Sequence, residues 1–166
     1  TVSHIENLGG KAIMVYGDVT KLEDCDTIVK EAEKAYEAGE IPVGAVIVSN
    51  NVIIARAHNQ TEILTDVTAH AEILAITSAS EHLGNKFLDR CTLYVTMEPC
   101  PMCAGALNWA RLSRIVYGAA DDEKGFMRFG KKILHPKTKL EYGVMHQECE
   151  AIIKRFFKEL REKQVY

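Results

Sequence analysis

Four residues near the middle of the chain have the types and the spacing of a catalytic metal site. His70 and Glu72 flank Ala71, and Cys100 and Cys103 form a Cys-x-x-Cys motif that begins 28 residues after Glu72. Imidazole nitrogen and thiolate sulfur are ligands that zinc prefers, and a catalytic zinc site keeps three protein ligands and one position open for water. The pattern therefore predicts that His70, Cys100 and Cys103 bind one Zn²⁺ ion, which would activate water, while Glu72 stays free to carry protons.

Each half of this pattern has another interpretation when it is taken alone. A single Cys-x-x-Cys is equally typical of a redox pair or of two buried thiols, and a structural site with four cysteines would need a second such motif, which the sequence lacks. A lone histidine is more often a core or surface residue than a ligand, and Glu72 could simply favour a helix N-terminus. The combination of His-x-Glu with Pro-Cys-x-x-Cys favours the metal site.

Periodicity predicts the elements that must position these residues. Helices are expected at 20–38, 71–82, 101–110 and 148–161, and strands at 43–49, 52–58, 92–97, 114–118 and around 141–145. The first two strands flank Asn50 and Asn51, which indicates a tight hairpin, and both are apolar enough to be covered on two faces. The metal-site residues fall at the starts of the second and third helices. Helices that alternate with buried strands indicate a three-layer α/β/α sandwich.

Composition sets the broad class of the protein. A chain of 166 residues with a net charge of −3 fits one globular domain and carries no global attraction to nucleic acid or membrane. We assign residues 21–166 to that domain and treat 1–20 as an N-terminal extension without an assigned role. No apolar run reaches the roughly 18 residues of a membrane span. Five cysteines, an odd number, favour a reducing, cytoplasmic location over a disulfide framework.

Further segments surround the two short motifs in a recognisable order. They are EIPVGAVIV at 40–48, His58-Asn59, TAHAE at 68–72, LYVTMEPC at 93–100, CAGA at 103–106 and VYGA at 116–119. His-x-Glu with Pro-Cys-x-x-Cys is the signature of the zinc deaminases. With these segments, the chain resembles the bacterial tRNA adenosine deaminases of the cytidine deaminase superfamily over roughly residues 24–161.

The resemblance implies a cytidine deaminase-like fold with a five-stranded mixed sheet, a homodimer with one Zn²⁺ per subunit, and conversion of a wobble adenosine in a tRNA anticodon loop to inosine. It also implies that Asn59 holds the base, that backbone N–H groups near Ala71 border it, and that Asp121 lies near the ribose. Two alternatives stay open: a deaminase of a free nucleobase or nucleoside of the guanine or cytosine type, and a zinc-stabilised binding protein without catalysis. The presence of Glu72 argues against the second alternative, because a proton carrier serves no structural purpose.

One further feature favours RNA. The segment 124–139, which we call the basic segment, contains no acidic residue. Its candidate RNA contacts are Lys124, Arg128, Phe129, Lys131, Lys132, Lys137 and Lys139. Cationic groups with interleaved aromatic rings suit phosphate contact and base stacking on a single-stranded loop. A solvated loop whose phenylalanines, Phe126 and Phe129, belong to the core is the competing interpretation.

Overall fold

The computed structural model describes the backbone of residues 22–163 and the side chains of residues 26–163. The N-terminal extension and the expected helix start at Thr20 lie outside this range. The helices are α1 (Leu22–Glu37), α2 (Ala71–Leu83), α3 (Pro101–Ala110) and α4 (His146–Lys163), and the strands are β1 (Gly44–Ser49), β2 (Val52–His58), β3 (Cys91–Met97), β4 (Arg114–Ala119) and β5 (Lys139–Tyr142). Two short 3₁₀ turns, Phe126–Phe129 and Lys131–Ile133, lie between β4 and β5.

The five strands form one mixed sheet in the order β2-β1-β3-β4-β5. β1 pairs antiparallel with β2 and with β3, whereas β3, β4 and β5 are mutually parallel. Asn50 and Asn51, with φ of 50° and 61°, form the predicted hairpin turn between β1 and β2. Because β3 and β4 run in the same direction, the segments that follow them leave the sheet at the same edge.

Helices cover both faces of the sheet, which confirms the three-layer sandwich. On one face, α2 and α3 supply Ala71, Ala75, Ala104 and Leu107 to the larger apolar core. On the other face, α1 packs against β1, β2 and β3 and contributes Ile28 to a second apolar cluster, while α4 lies beside it and packs against β3 and β4. No helix within residues 22–163 combines the length and the apolarity that crossing a bilayer requires.

The structure differs from the expected elements in two places. β1 is buried along its whole length, as expected. β2 is largely exposed or half-buried because it is the edge strand, with no further strand of residues 22–163 beside it. β5 begins two residues earlier than the expected strand around 141–145, because Lys139 continues the parallel register from Arg114. Gly143 and Met145 then adopt positive φ and turn the chain into α4.

Candidate metal centre

Three of the predicted site residues lie together beyond the carboxyl end of β3. The Nδ1 atom of His70 is 3.7 Å from Sγ of Cys100 and 3.5 Å from Sγ of Cys103. All three ligand atoms lie within 4.8 Å of one another. Bonds of about 2.1 Å to nitrogen and 2.3 Å to sulfur at a tetrahedral angle would separate these atoms by roughly 3.6 Å. The donor set and its spacing therefore fit a tetrahedral metal ion, with one position left for a non-protein ligand.

Two helix N-termini bring these ligands together. His70 is the N-cap residue of α2 and Cys100 is the N-cap residue of α3, and neither side chain caps its own helix. Cys100 thus precedes α3 rather than lying on it, while Cys103 occupies the first turn of α3. Their spacing of three residues still places both thiols on the same side of the helix start. Pro101 starts α3 at a position where no backbone N–H is needed. The positive ends of both helices face the cluster and favour anionic ligands.

The two thiols behave as a pair that shares a proton. The hydrogen bond from Cys103, followed by the contact with His70, lowers the pKa of Cys100 to about 4 despite its partial burial. The same hydrogen bond, together with burial, raises the pKa of Cys103. Cys100 is therefore a thiolate at neutral pH, the ionic form that binds a divalent metal.

Glu72 lies next to the cluster but is not one of its three ligand atoms. It is the second residue of α2 and its side chain is buried, 3 % exposed. Burial raises the pKa of Glu72 to about 6, and its carboxylate contacts the thiol of Cys103. A carboxyl group with a pKa near neutrality exchanges protons readily in both directions. Its position supports the predicted proton carrier and argues against the surface alternative.

Asn59 lies directly after β2 and is held by a buried carboxylate that the sequence analysis did not single out. The side chain of Glu40 is 1 % exposed. Its Oε2 accepts hydrogen bonds from Nδ2 of Asn59 at 3.1 Å and from the hydroxyl of Thr61 at 3.0 Å, and its Oε1 accepts the backbone N–H groups of Glu62 and Ile63. Because a carboxylate only accepts, the amide of Asn59 must present its nitrogen to Glu40. The orientation of Asn59 is therefore fixed.

Ala71 and Asp121 are the two remaining residues that the sequence analysis expected to contact the substrate. Ala71 is the first residue of α2, where backbone N–H groups have no partner within the helix. Asp121 follows β4 and is half-buried, and its Oδ1 accepts the backbone N–H groups of Glu123 and Lys124. A second buried carboxylate, Glu98, accepts the backbone N–H of Asp121 at 3.2 Å.

The basic segment is exposed at every candidate RNA contact. Phe129 is 67 % exposed. Phe126 is fully buried against Tyr117, as the competing interpretation of the segment expected. The two phenylalanines therefore differ: Phe126 belongs to the core, and Phe129 is exposed and available for stacking. The exposed cationic side chains are Lys124, Arg128, Lys131, Lys132, Lys137 and Lys139.

Comparison with protein families and curated proteins gives consistent matches. Residues 20–161 match the model of the MafB19-like deaminase family. The chain is 45 % identical over 140 residues to the tRNA-specific adenosine deaminase of Bacillus subtilis (strain 168), a match that covers 81 % of this chain and 87 % of that protein. It is 43 % identical over 138 residues to the tRNA-specific adenosine deaminase of Aquifex aeolicus (strain VF5), covering 80 % of this chain and 91 % of that protein.

Solved structures agree on the fold. A structure from a study of A-to-I editing by tRNA:A34 deaminases superposes with a TM-score of 0.73 at 41 % identity, covering 77 % of this chain and 96 % of that chain. A guanine deaminase from Bacillus subtilis superposes with a TM-score of 0.55 at 45 % identity, but covers only 57 % of this chain and 61 % of that one. The similarity thus extends further along the tRNA-acting relative than along the guanine deaminase.

Proposed function

This chain belongs to the family of tRNA-specific adenosine deaminases, and from that premise we propose that it hydrolyses the wobble adenosine of a tRNA anticodon loop to inosine, releasing ammonia. One observation carries the chemistry: the ligand atoms of His70, Cys100 and Cys103 have tetrahedral spacing, and the buried carboxylate of Glu72 lies beside them. The substrate assignment is supported by relatives whose match covers nearly nine tenths of their length.

The metal-binding residues would hold one Zn²⁺ ion per subunit, since two thiolates and an imidazole are a donor set that zinc prefers over harder metals. When bound, zinc supplies a Lewis acid that lowers the pKa of water. Glu72 accepts a proton from the attacking water while the water oxygen bonds to C6 of adenine. Glu72 then passes that proton to N1 of the ring. It then transfers the second proton of that water to the amino group, which leaves as ammonia.

The remaining site residues would bind and orient the nucleoside. Asn59, held in one orientation by Glu40, contacts the base, and the backbone N–H of Ala71 at the start of α2 borders it. Asp121, which follows β4, would lie near the ribose. The exposed basic segment contacts the phosphates of the anticodon loop, and Phe129 offers a ring on which a splayed base can stack.

A second candidate is deamination of a free nucleobase on the same scaffold. It is favoured by one observation, the 45 % identity to the guanine deaminase from Bacillus subtilis over 57 % of this chain. A free base has no phosphates, so this candidate assigns no function to the exposed cations of the basic segment.

The two candidates are separated by one assay. The protein is incubated with an anticodon stem-loop that carries adenosine at the wobble position and, separately, with guanine, cytosine and their nucleosides. We expect inosine in the stem-loop, detected by nuclease digestion and mass spectrometry. We also expect loss of the reaction after zinc chelation and its return when zinc is restored. Ammonia released from free bases alone would refute the tRNA assignment.

We further propose that the protein is a homodimer whose partner covers the outer surface of α2 and α3. A groove there is lined by Ile76, Phe87 and Trp109, and Trp109 is 81 % exposed. An exposed large aromatic ring beside further apolar side chains in a groove is typical of a protein interface.

Light scattering during size-exclusion chromatography tests the dimer. We expect the wild-type protein to have the mass of two chains and the Trp109→Glu variant to have the mass of one, because a buried unpaired charge would oppose association. Val52→Glu, which places the same charge at an exposed valine of the edge strand, is the matched control and should stay dimeric. A wild-type protein that is monomeric at micromolar concentration would contradict the proposal.

The domain assignment and the location remain part of this proposal. Residues 21–166 would form the deaminase domain, with 1–20 outside it, in keeping with the family match over residues 20–161. The described cysteines Cys91, Cys100, Cys103 and Cys149 form no disulfide with one another. Two of them would have to stay reduced to bind zinc, and tRNA would be the substrate, so we propose a cytoplasmic location.

A further inference from the structure

Glu98 is a buried acidic residue for which the proposed chemistry has no use. It lies between the end of β3 and the metal ligand Cys100, and its side chain is 7 % exposed. Among the described residues, no lysine, arginine or histidine forms an ion pair with it. Burying a carboxylate is costly unless hydrogen bonds replace its water. The groups that donate hydrogen bonds to Glu98 therefore indicate which part of the chain this carboxylate positions.

Both carboxylate oxygens of Glu98 bind the backbone of one loop, residues 121–127, which we call the Asp121 loop. Oε2 accepts the N–H of Asp121 at 3.2 Å, and Oε1 accepts the N–H of Met127 at 2.9 Å. The two donors are the first and the last residue of the loop, and the loop closes on itself through the N–H of Gly125 and the carbonyl of Asp121. A single carboxylate thus fixes both ends of the Asp121 loop.

The loop fits closely against this carboxylate. A Cβ atom on Gly125 would overlap the carboxylate of Glu98, so the close approach requires glycine. The next residue, Phe126, donates its N–H to the carbonyl of Pro99 at 3.0 Å and is fully buried. Hydrogen bonds within the loop hold its shape, while its contacts with Glu98 and Pro99 set its position relative to the start of α3.

The same connection carries a metal ligand at its end and holds a substrate-facing loop at its start. We propose that Glu98 is a positioning residue, whose carboxylate holds the Asp121 loop, and with it the start of the basic segment, at a set distance from the Cys100 end of α3. This inference rests on the proposed tRNA substrate. Loss of the Glu98 contacts would move substrate-binding groups while the ligands stay in place. The KM for the stem-loop would then change more than kcat.

Two variants test this role by opposite means. Glu98→Gln keeps the size of the side chain but replaces one acceptor oxygen with an NH₂ group that faces a backbone donor. Gly125→Ala keeps the carboxylate and pushes the loop away from it. For both variants we expect the KM for the anticodon stem-loop to rise roughly tenfold, with kcat changed by less than about threefold and the zinc content unchanged. In the double variant the two effects should not add, since both remove the same contact.

A readout that does not depend on activity separates this inference from the proposed function. Amide hydrogen exchange at Asp121 and Met127 should be faster in Glu98→Gln than in the wild-type protein. Glu123→Gln, which changes an exposed acid of the same loop, is the matched control and should raise neither the exchange rate nor KM. If the wild-type protein makes no inosine, the proposed function fails, and the exchange experiment still tests the loop contacts.

Three outcomes would overturn the positioning role. The first is a wild-type KM in both variants. The second is faster exchange at Asp121 and Met127 with no change in KM, which would make Glu98 merely structural. The third is a loss of kcat and of bound zinc at unchanged KM, which would mean that Glu98 acts on Cys100 and not on the loop. If Glu98→Gln does not fold, Gly125→Ala decides the question.

Discussion

At the scale of single residues, Glu72 combines burial with proximity to the ligand cluster. Its side chain is 3 % exposed and contacts Cys103, yet the three ligand atoms are complete without it. Removing a positioned proton carrier typically costs a factor of 10² to 10⁴ in rate. The carboxylate should therefore matter for turnover far more than for metal binding.

We predict that Glu72→Gln lowers kcat for inosine formation by roughly a hundredfold or more while zinc stays bound. The amide has nearly the same size but cannot accept and return a proton at neutral pH. Stem-loop turnover by mass spectrometry and zinc content by atomic emission are the measurements. Glu81→Gln, an exposed glutamate on the same helix, is the control. Equal rates for Glu72→Gln and the wild-type protein would refute the assigned mechanism.

Glu40 allows a prediction of pH-dependent stability. Burial alone would raise the pKa of Glu40, but four hydrogen bonds from residues 59–63 outweigh it and lower the pKa. A carboxyl group whose folded pKa lies below its unfolded value of about 4.3 stabilises the fold above that pH. The stabilisation is lost as the pH falls through the folded pKa.

We therefore predict that Glu40→Gln lowers the free energy of unfolding at pH 7 by about 2 kcal/mol, the scale of hydrogen bonds to a charged group. The difference from the wild-type protein should begin to shrink as the pH falls below the unfolded pKa of about 4.3, and should continue to shrink toward the lower folded pKa of Glu40. Urea denaturation between pH 7 and pH 3.5 measures both. A difference that does not depend on pH would show that charge is not what Glu40 contributes.

The residues to which we assign chemical roles could be predicted because their types and spacing are distinctive. His70, Cys100 and Cys103 were identified from two short motifs, and the structure brings their ligand atoms together. Glu40 and Glu98 could not be identified in this way. Their importance lies in backbone N–H groups more than 20 residues away along the chain, and only the folded structure shows which segments those are.

At the scale of elements, Gly44 marks the point where β1 passes under α1. A Cβ atom there would overlap backbone atoms of Ile28 and Ala32, and backbone in a helix cannot move aside as a flexible side chain could. The contact between the first helix and the sheet is therefore close enough to exclude even a methyl group.

We predict that Gly44→Ala destabilises the protein by about 2 kcal/mol or more, the cost of overpacking a core that cannot relax. Thermal and urea denaturation would measure the loss. Gly105→Ala provides a matched comparison, because its added methyl group meets no atom of this chain within 4 Å and alanine favours a helix. Similar stabilities for the two variants would contradict the close contact between α1 and β1.

Periodicity in the sequence predicted which segments are helices and strands, but it did not predict the solvent exposure of their residues. The apolar run of β2 predicted a strand correctly but could not show that this strand would lie at the sheet edge, because edge position depends on how the strands are ordered. The same limit applied to the two phenylalanines of the basic segment. Phe126 is buried by its contact with Tyr117, a residue of β4, which no local pattern indicates.

At the scale of the whole molecule, charge is unevenly distributed. The net charge is −3, yet the basic segment carries six cations without an acidic residue and exposes them all. Binding of single-stranded nucleic acid releases counterions in proportion to the phosphates contacted. The salt dependence of binding therefore reports how many of these cations reach the RNA.

We predict that the double variant Lys131→Ser, Lys132→Ser raises the KM for the stem-loop. It should also reduce the steepness of the slope of log affinity against log salt concentration by roughly one to two. Fluorescence anisotropy at several salt concentrations measures the slope. The control is Lys158→Ser, Lys163→Ser, which removes two exposed cations from α4, where glutamates dilute the positive charge. Equal slopes for the two double variants would mean that the basic segment does not contact RNA.

The parallel pairing of β3 and β4 bears on how such a protein can change over evolution. The ligand Cys100 is in register with β3, so one residue inserted into that strand would shift it by about 3.3 Å and reverse the facing of its side chains. The connections at 64–69 and 128–138 carry neither a metal ligand nor a hydrogen bond to Glu40 or Glu98, and can vary in length without that penalty. Insertions are therefore tolerated in these two connections but not in β3. A library of variants made to find new substrates should vary the sequence and length of these two connections.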